Sequence, residues 1–528
     1  MRILVGPAHF GGYSHMIQLH ALCEAFARFG HHVTYVTSSS EPEAQLTLLR
    51  GHERIDVVTA KGVAWAPDFD LNLGLRVARG EQDWQTKVDL VAAACDASER
   101  FFADEAIQAF LGDRVHDFDV ALVDAGALCN HLLADALHPL PQVHYLCYPP
   151  EPWRDRKANL LYNSAVQKRV GTRLQALRAS IGAPPKPDCQ RCHVLTIVGH
   201  SSALVHPDGL AGLPLGAESC VGSVLETRPA APLPADLAAW ADASGGFVVV
   251  SLGSWADVAC SQLGKDAVIE HALGRLGMPA VWKTSSRRPN EPRATRGESS
   301  AEVSSPGRGD TECGTTVVGD GTGNGGSGVY GCSTNAALPP NVRCYAWIPQ
   351  RALIAHRHCR LLVCHGGANS ISEAAAHGVP VVGLPVSWDQ PGNVRMVERL
   401  QVGVGVPLSD CTADALLEAM GELLEDPEVR PRAQALAKRM QQRDTGANGA
   451  AVLVERAATL GAEMESAFQQ EGLAGGEKAP ATGHRGQPAQ GFKGAGGRGG
   501  HHHLEPATPL VPRVVDDEEE AGWGDELN

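Results

Sequence analysis

The chain has 528 residues, 43% of them hydrophobic and 20% charged, enough for ordinary soluble domains and incompatible with a fully disordered, collagen-like or coiled-coil protein. At roughly 150 residues per domain it holds two to four domains, and a net charge of −15 argues against a general nucleic-acid binder, which needs a basic stripe. Fourteen scattered cysteines read as reduced thiols, and with no signal-peptide core or long apolar run the expected location is the cytoplasm, with no membrane span.

Residues 3–5 (Ile-Leu-Val) form a short apolar strand. Met16, Leu19, Leu22, Phe26 and Phe29 then recur at helical spacing, Gly30 stops that helix, and residues 33–36 begin the next strand. Nearly continuous apolar runs return at 118–123, 247–251, 360–364 and 379–384, as in parallel strands covered on both faces. Strands alternating with helices imply doubly wound α/β layers. The packed residues fall into two blocks, 1–235 and 240–445, linked through Pro229, Pro232 and Pro234, with a further helix over 446–461.

Two stretches stand apart. Residues 285–336 hold 11 Gly, 8 Ser and 3 Pro and few larger apolar side chains, so burial cannot offset the entropy of ordering them; they read as a disordered insertion. Residues 462–528 are Gly-rich and end in an acidic run, which reads as a disordered tail. The tail carries −7 of the net charge and leaves −8 for the rest, so charge says little about a substrate.

The most informative stretch is 347–390. It contains Trp-Ile-Pro-Gln at 347–350, His-Gly-Gly-Ala-Asn-Ser-Ile-Ser-Glu at 365–373 and Asp-Gln at 389–390. The strand before His365 runs into a glycine turn and a helix start, where free backbone N–H groups and the helix dipole favour an anion. His365, Asn369 and Ser370 add donors there, so a diphosphate is the natural guest. Glu373, one turn on, accepts only when ionised and suits a pair of sugar hydroxyls. Asp389 and Gln390 follow the next strand, on the edge where open parallel sheets bind ligands.

This long pattern resembles the signature of the UDP-dependent glycosyltransferases that conjugate small molecules, and the likeness extends from residue 2 to about 460, interrupted by 285–336. The resemblance implies a GT-B architecture: two Rossmann-like domains facing each other across a cleft, the first (1–235) for the acceptor and the second (240–445) for the UDP-sugar. It implies that Trp347 stacks on uracil with Gln350 nearby, and that His365, Gly367, Asn369, Ser370 and the Ser254 loop hold the diphosphate. Glu373 holds the ribose, and Asp389 and Gln390 hold the transferred sugar. His15 matches the family's general base and Asp124 its orienting carboxylate. A hydroxyl is a poor nucleophile until a base takes its proton, and a histidine does this best when a carboxylate sets its tautomer.

The implied reaction is an inverting transfer of a hexose, glucose above all, to a hydroxyl of a small lipophilic acceptor, with no metal and no cofactor beyond the UDP-sugar co-substrate. The alternatives are a sugar-nucleotide-binding protein without catalysis and a GT-B sugar-nucleotide epimerase. The acceptor pocket is expected among residues 60–105 and 145–200, with Trp65, Phe69, Trp84, Phe101, Phe102 and Trp153. Ala368 and Gly366 depart from the tryptophan and cysteine of plant-type members, and Tyr13-Ser14-His15 is closer to the animal and bacterial branch. Three motifs are set aside: the haem-attachment pattern at 189–193, the G-x-G-x-x-G at 321–326, and the histidine run at 501–503.

Overall fold

Parallel strands need crossover helices, and the alternation along this chain is resolved in that way in a computed structural model that describes residues 1–6, 13–39, 41, 43–61, 63, 84–113, 118–125, 128–137, 139–147, 156–184, 193–205, 219–227, 230–284 and 338–475. The first sheet has strands β1 (Arg2–Val5), β2 (His32–Ser38), β3 (Ile55–Ala60), β4 (Val120–Asp124), β5 (Gln142–Leu146) and β6 (His193–Val198), ordered β3-β2-β1-β4-β5-β6. Its helices are α1 (Tyr13–Arg28), α2 (Glu43–Arg50), α3 (Trp84–Ala103), α4 (Glu105–Asp113), α5 (Leu128–Ala136) and α6 (Arg156–Ser180).

The strand period of two sorts the core. Ile3, Val5, Val120 and Leu122 pack with Leu19, Leu22 and Phe26 of α1, whereas Leu4, Ala121 and Val123 pack with Phe101 and Phe102 of α3 and Leu132 of α5. Phe101 and Phe102, expected in the acceptor pocket, are buried core residues; the helical spacing of α3 turns them onto the sheet. Trp65, Phe69, Trp153 and the side chain of Trp84 lie outside the described residues.

The second half opens with α7 (Ala235–Ala243) and forms strands β7 (Phe247–Ser251), β8 (Ala280–Lys283), β9 (Val342–Tyr345), β10 (Cys359–Cys364), β11 (Val381–Gly383) and β12 (Gly403–Gly405). Their order, β12-β11-β10-β7-β8-β9, is that of the first sheet read from the opposite edge. Two doubly wound parallel sheets with flanking helices make the GT-B architecture. The remaining helices are α8 (Gly253–Gln262), α9 (Asp266–Leu276), α10 (Gln350–Ile354), α11 (Ala368–Ala376), α12 (Gln390–Arg399), α13 (Ala413–Glu425), α14 (Val429–Arg443) and α15 (Gly446–Gly475).

Helix α15 corrects one boundary. It runs to Gly475, not to 461, because Ala462, Glu463, Met464, Glu465 and Gln469 are good helix formers that the glycine-rich composition of the whole tail conceals. It does not pack on the second sheet. Ala447, Ala450, Ala451, Val454 and Ala457, at helical spacing, join the core of the first. Fully burying one such valine contributes about 1.5–3 kcal/mol, so α15 stabilises the half where the chain began. The insertion at 285–336, the rest of the tail and the three motifs set aside fall outside the described residues, apart from His193 on β6.

Candidate active site

Strand order reverses between β1 and β4, and ligands bind such a sheet at that switch point. Because β1 and β4 are neighbours, with Val5 beside Leu122, Asp124 at the end of β4 meets the first turn of α1. There the Asp124 carboxylate accepts a hydrogen bond from His15 Nδ1 at 2.8 Å. Asp124 is 1% exposed and His15 26%, so the carboxylate is sealed and the ring reaches solvent. An acceptor-only carboxylate places the proton on Nδ1, which makes Nε2 the basic nitrogen of the ring.

Burial disfavours a charge on His15, yet its pKa is raised well above the ordinary value, by Cys147 and Asp124. Burial pushes the Cys147 thiol up to about 12, so it is neutral at neutral pH and the raising falls to Asp124. His15, Asp124 and Cys147 bring three metal-ligand types within 4.8 Å of one another. The sulfur, however, is 3.0 Å from Nδ1 and 3.1 Å from Nε2. A sulfur almost equidistant from both nitrogens lies on neither lone-pair axis, so the thiol packs on the ring.

The second sheet repeats the arrangement. Its switch point falls between β7 and β10, with Ser251 beside Cys364, and His365 leaves β10 next to the start of α8. Gly366 has φ +81°, a left-handed turn that spares it a side-chain penalty. A Cβ on Gly367 would lie 2.4 Å from His365 Nε2, and one on Gly253 3.0 Å from its Cε1, so the ring fills a slot between two bare backbones. Helix α11 then begins at Ala368 with its first N–H groups free of intrahelical partners. Burial, helped by the Lys283 charge, lowers His365 to about 4. The ring is therefore neutral at neutral pH and offers an N–H as a donor. Its Nδ1 is buried without a hydrogen-bond partner among the described residues.

Gln350 Nε2 donates to Glu373 Oε2 at 2.7 Å and to Ser370 Oγ at 3.2 Å, which ties the start of α10 to α11. Burial raises Glu373 to about 7, against the opposing effect of the Gln350 bond. Trp347, just before α10, is 45% exposed. Asp389 Oδ2 accepts from Asn393 Nδ2 at 2.6 Å. Gln390 Oε1 accepts from the Val386 and Ser387 N–H groups at 2.9 and 3.1 Å, bracketing the loop that presents Asp389. The side chain of Ser254 lies outside the described residues.

Several site residues escaped the sequence reading. Lys283, at the end of β8, donates to the Gly253 carbonyl at 3.1 Å and pairs with Asp257 at 3.7 Å. A charge closing an apolar strand at the ligand-binding edge was a legible signal. Gln18, Cys147 and His200 had none, because they lie far apart in the chain and belong to no motif, whereas Ser372 sat unremarked inside the 365–373 run.

Residues 330–445 match the family model described as UDP-glucoronosyl and UDP-glucosyl transferase. UDP-glucuronosyltransferase 2B1 of Rattus norvegicus is 24% identical over 482 residues, covering 83% of this chain and 80% of the relative. The 2-hydroxyacylsphingosine 1-beta-galactosyltransferase of Rattus norvegicus is 29% identical over 220 residues, 41% of this chain and 32% of that protein. This chain likewise spans about a third or less of several other curated relatives it matches. The glycotransferase of kitacinnamycin, a solved structure, has the same fold at a TM-score of 0.58, with 21% identity over 87% of this chain and 98% of that one. Among the described residues no helix is long and apolar enough to cross a membrane. The motif at 347–390, the paired sheets and these relatives agree in supporting a family 1 UDP-glycosyltransferase, an enzyme that transfers a sugar from a UDP-sugar donor.

Proposed function

We propose an inverting, metal-independent transfer of a hexose, glucose in the first place, from a UDP-sugar to a hydroxyl of a small lipophilic acceptor. The observation that carries this reading is the His15–Asp124 pair at one switch point, with α11 of the other sheet reaching it: Asn369 Nδ2 donates to the carbonyl of Ser14, next to His15, at 3.4 Å. His15 Nε2 takes the acceptor proton as the acceptor oxygen bonds to the anomeric carbon from the face opposite UDP. The bond from that carbon to the UDP oxygen breaks, its electron pair leaves with UDP, and the imidazolium passes its proton to solvent. Asp124 stabilises the imidazolium while it lasts.

The leaving diphosphate gains its charge at the start of α11, where oriented N–H groups, the Asn369 amide and the neutral His365 donate to it. Trp347 stacks on the uracil, Gln350 and Glu373 face the ribose, and Asp389, on the loop bracketed by Gln390, faces the sugar. Glucuronate and galactose, named in the relatives, are the competing donor sugars. Ten described cysteines, all buried thiols, support the reading of a cytoplasmic enzyme.

The test is purified protein with UDP-glucose, UDP-glucuronate and UDP-galactose against a pooled aglycone library, read by mass spectrometry. His15→Ala is expected to bind UDP as the wild type does and to transfer no sugar; transfer near the wild-type rate removes the base assignment. A new UDP-sugar without a conjugate makes the protein an epimerase.

A further inference from the structure

A chain of buried hydrogen bonds joins the two switch points, and the reaction above makes no use of it. Gln18, one turn beyond His15 on α1, donates from Nε2 to Asn369 Oδ1 at 2.7 Å and to the Cys147 carbonyl at 3.2 Å. Its Oε1 accepts from the Tyr145 hydroxyl. His200, just past β6, bonds through Nε2 to the same Cys147 carbonyl and through Nδ1 to Ser372 Oγ on α11, both at 2.8 Å. Gln18, Tyr145, His200 and Ser372 are all buried.

The polarity of this chain is forced. A carbonyl only accepts, so His200 Nε2 carries its hydrogen. Burial lowers His200 to about 4, which makes the ring neutral at neutral pH, so Nδ1 is an acceptor and the Ser372 hydroxyl donates to it. The Tyr145 hydroxyl, donating to Gln18 Oε1, turns the amide nitrogen of Gln18 towards Asn369. Both arms meet at the backbone of Cys147, whose thiol lies on the His15 ring. They grip α11 at Asn369 and at Ser372, almost one turn apart.

We propose that Gln18 and His200 are positioning residues that hold the start of α11, and with it the donor diphosphate, in register with His15. The inference rests on the functional reading given above. A helix held at two points one turn apart can neither slide nor roll against α1, and the second hydrogen on Asn369 Nδ2 remains for the phosphate. Buried and fully partnered, such bonds keep one arrangement because an orphaned group would be left by any slip. A misplacement of 1 Å between base and donor is enough to lower a rate by about 100-fold.

The experiment compares Gln18→Ala, His200→Ala, Ser372→Ala, the His200→Ala/Ser372→Ala double variant, and His200→Asn, which keeps an acceptor near the place of Nδ1. Gln18→Ala and His200→Ala are expected to lower kcat by about 10- to 100-fold while the UDP dissociation constant from calorimetry stays within about threefold. His200→Asn recovers part of the loss, and the double variant is no slower than its slower parent. A merely structural role would lower the melting temperature and leave the kcat of the folded protein unchanged. Near-wild-type kcat in both alanine variants, or additive losses at His200 and Ser372, overturns the proposal. If the wild type binds UDP but transfers nothing, the functional reading fails by itself. Hydrogen exchange then decides the inference: UDP should protect residues 13–18 in the wild type and not in the double variant, and equal protection overturns it. If the wild type does not bind UDP, both fall.

Discussion

Asp124→Asn isolates what the buried carboxylate does. In the wild type an imidazolium formed on His15 faces a carboxylate that is 1% exposed, across an N···O distance of 2.8 Å. With charge centres about 4 Å apart and an effective dielectric near 20, their attraction is about 4 kcal/mol. Asparagine keeps the shape and removes that attraction while the burial of the ring remains. At 1.36 kcal/mol per decade this is about 10³ in rate. An amide turned with its NH2 towards Nδ1 also forces the ring proton onto Nε2, the wrong tautomer, an effect of about 10⁴ in the serine-protease triad. The expected result is a kcat lower by about 10³–10⁴ with UDP affinity unchanged.

The pH profile gives a second, independent readout of the same substitution. Catalysis needs neutral His15, so a pKa raised above 6.5 places the acid limb of kcat/KM above that pH in the wild type, with activity rising into alkaline buffer. Without the carboxylate, burial acts alone and the limb moves to lower pH. Stability carries the matching sign. The pair stabilises the fold fully below the unfolded histidine pKa and loses that contribution as pH rises through the raised folded value. The gap in melting temperature between wild type and variant should therefore narrow towards alkaline pH. Initial rates by mass spectrometry across a pH series check both; a rate within tenfold of wild type with an unmoved limb refutes the pairing.

Gly367→Ala places a methyl 2.4 Å from His365 Nε2, so the ring must leave its slot beside Gly253. Overpacking of this kind costs about 1–3 kcal/mol, read as a UDP dissociation constant raised about 5- to 150-fold by calorimetry, and an unchanged constant shows that His365 does not face the diphosphate. Glu373, raised to about 7, accepts ribose hydroxyls best when ionised, so UDP affinity should strengthen as pH rises through 7, and Glu373→Gln should flatten that dependence. The sign on stability is opposite: a folded pKa above the unfolded one weakens the fold between about pH 4.5 and 7, so the glutamine variant should melt higher above pH 7. A UDP affinity independent of pH in the wild type removes Glu373 from the ribose.

Local sequence determined the elements and half of each site. The alternation of Ile3, Leu4 and Val5 places a strand between two helical layers, and the glycine turn after Cys364 makes an anion-binding helix start, because both effects act over a few residues. The 347–390 run was legible as one candidate site for the same reason: its residues sit on consecutive strand ends and helix starts of one sheet. His15 and Asp124 are 109 residues apart, and only the neighbouring of β1 and β4 brings them to 2.8 Å. The return of α15 to the first sheet, the burial of Phe101 and Phe102, the neutrality of His365 and the bonds from Gln18 and His200 to α11 were decided by tertiary structure alone. Each depends on which surfaces meet and how much water they exclude, and neither quantity has a period or a motif along the chain.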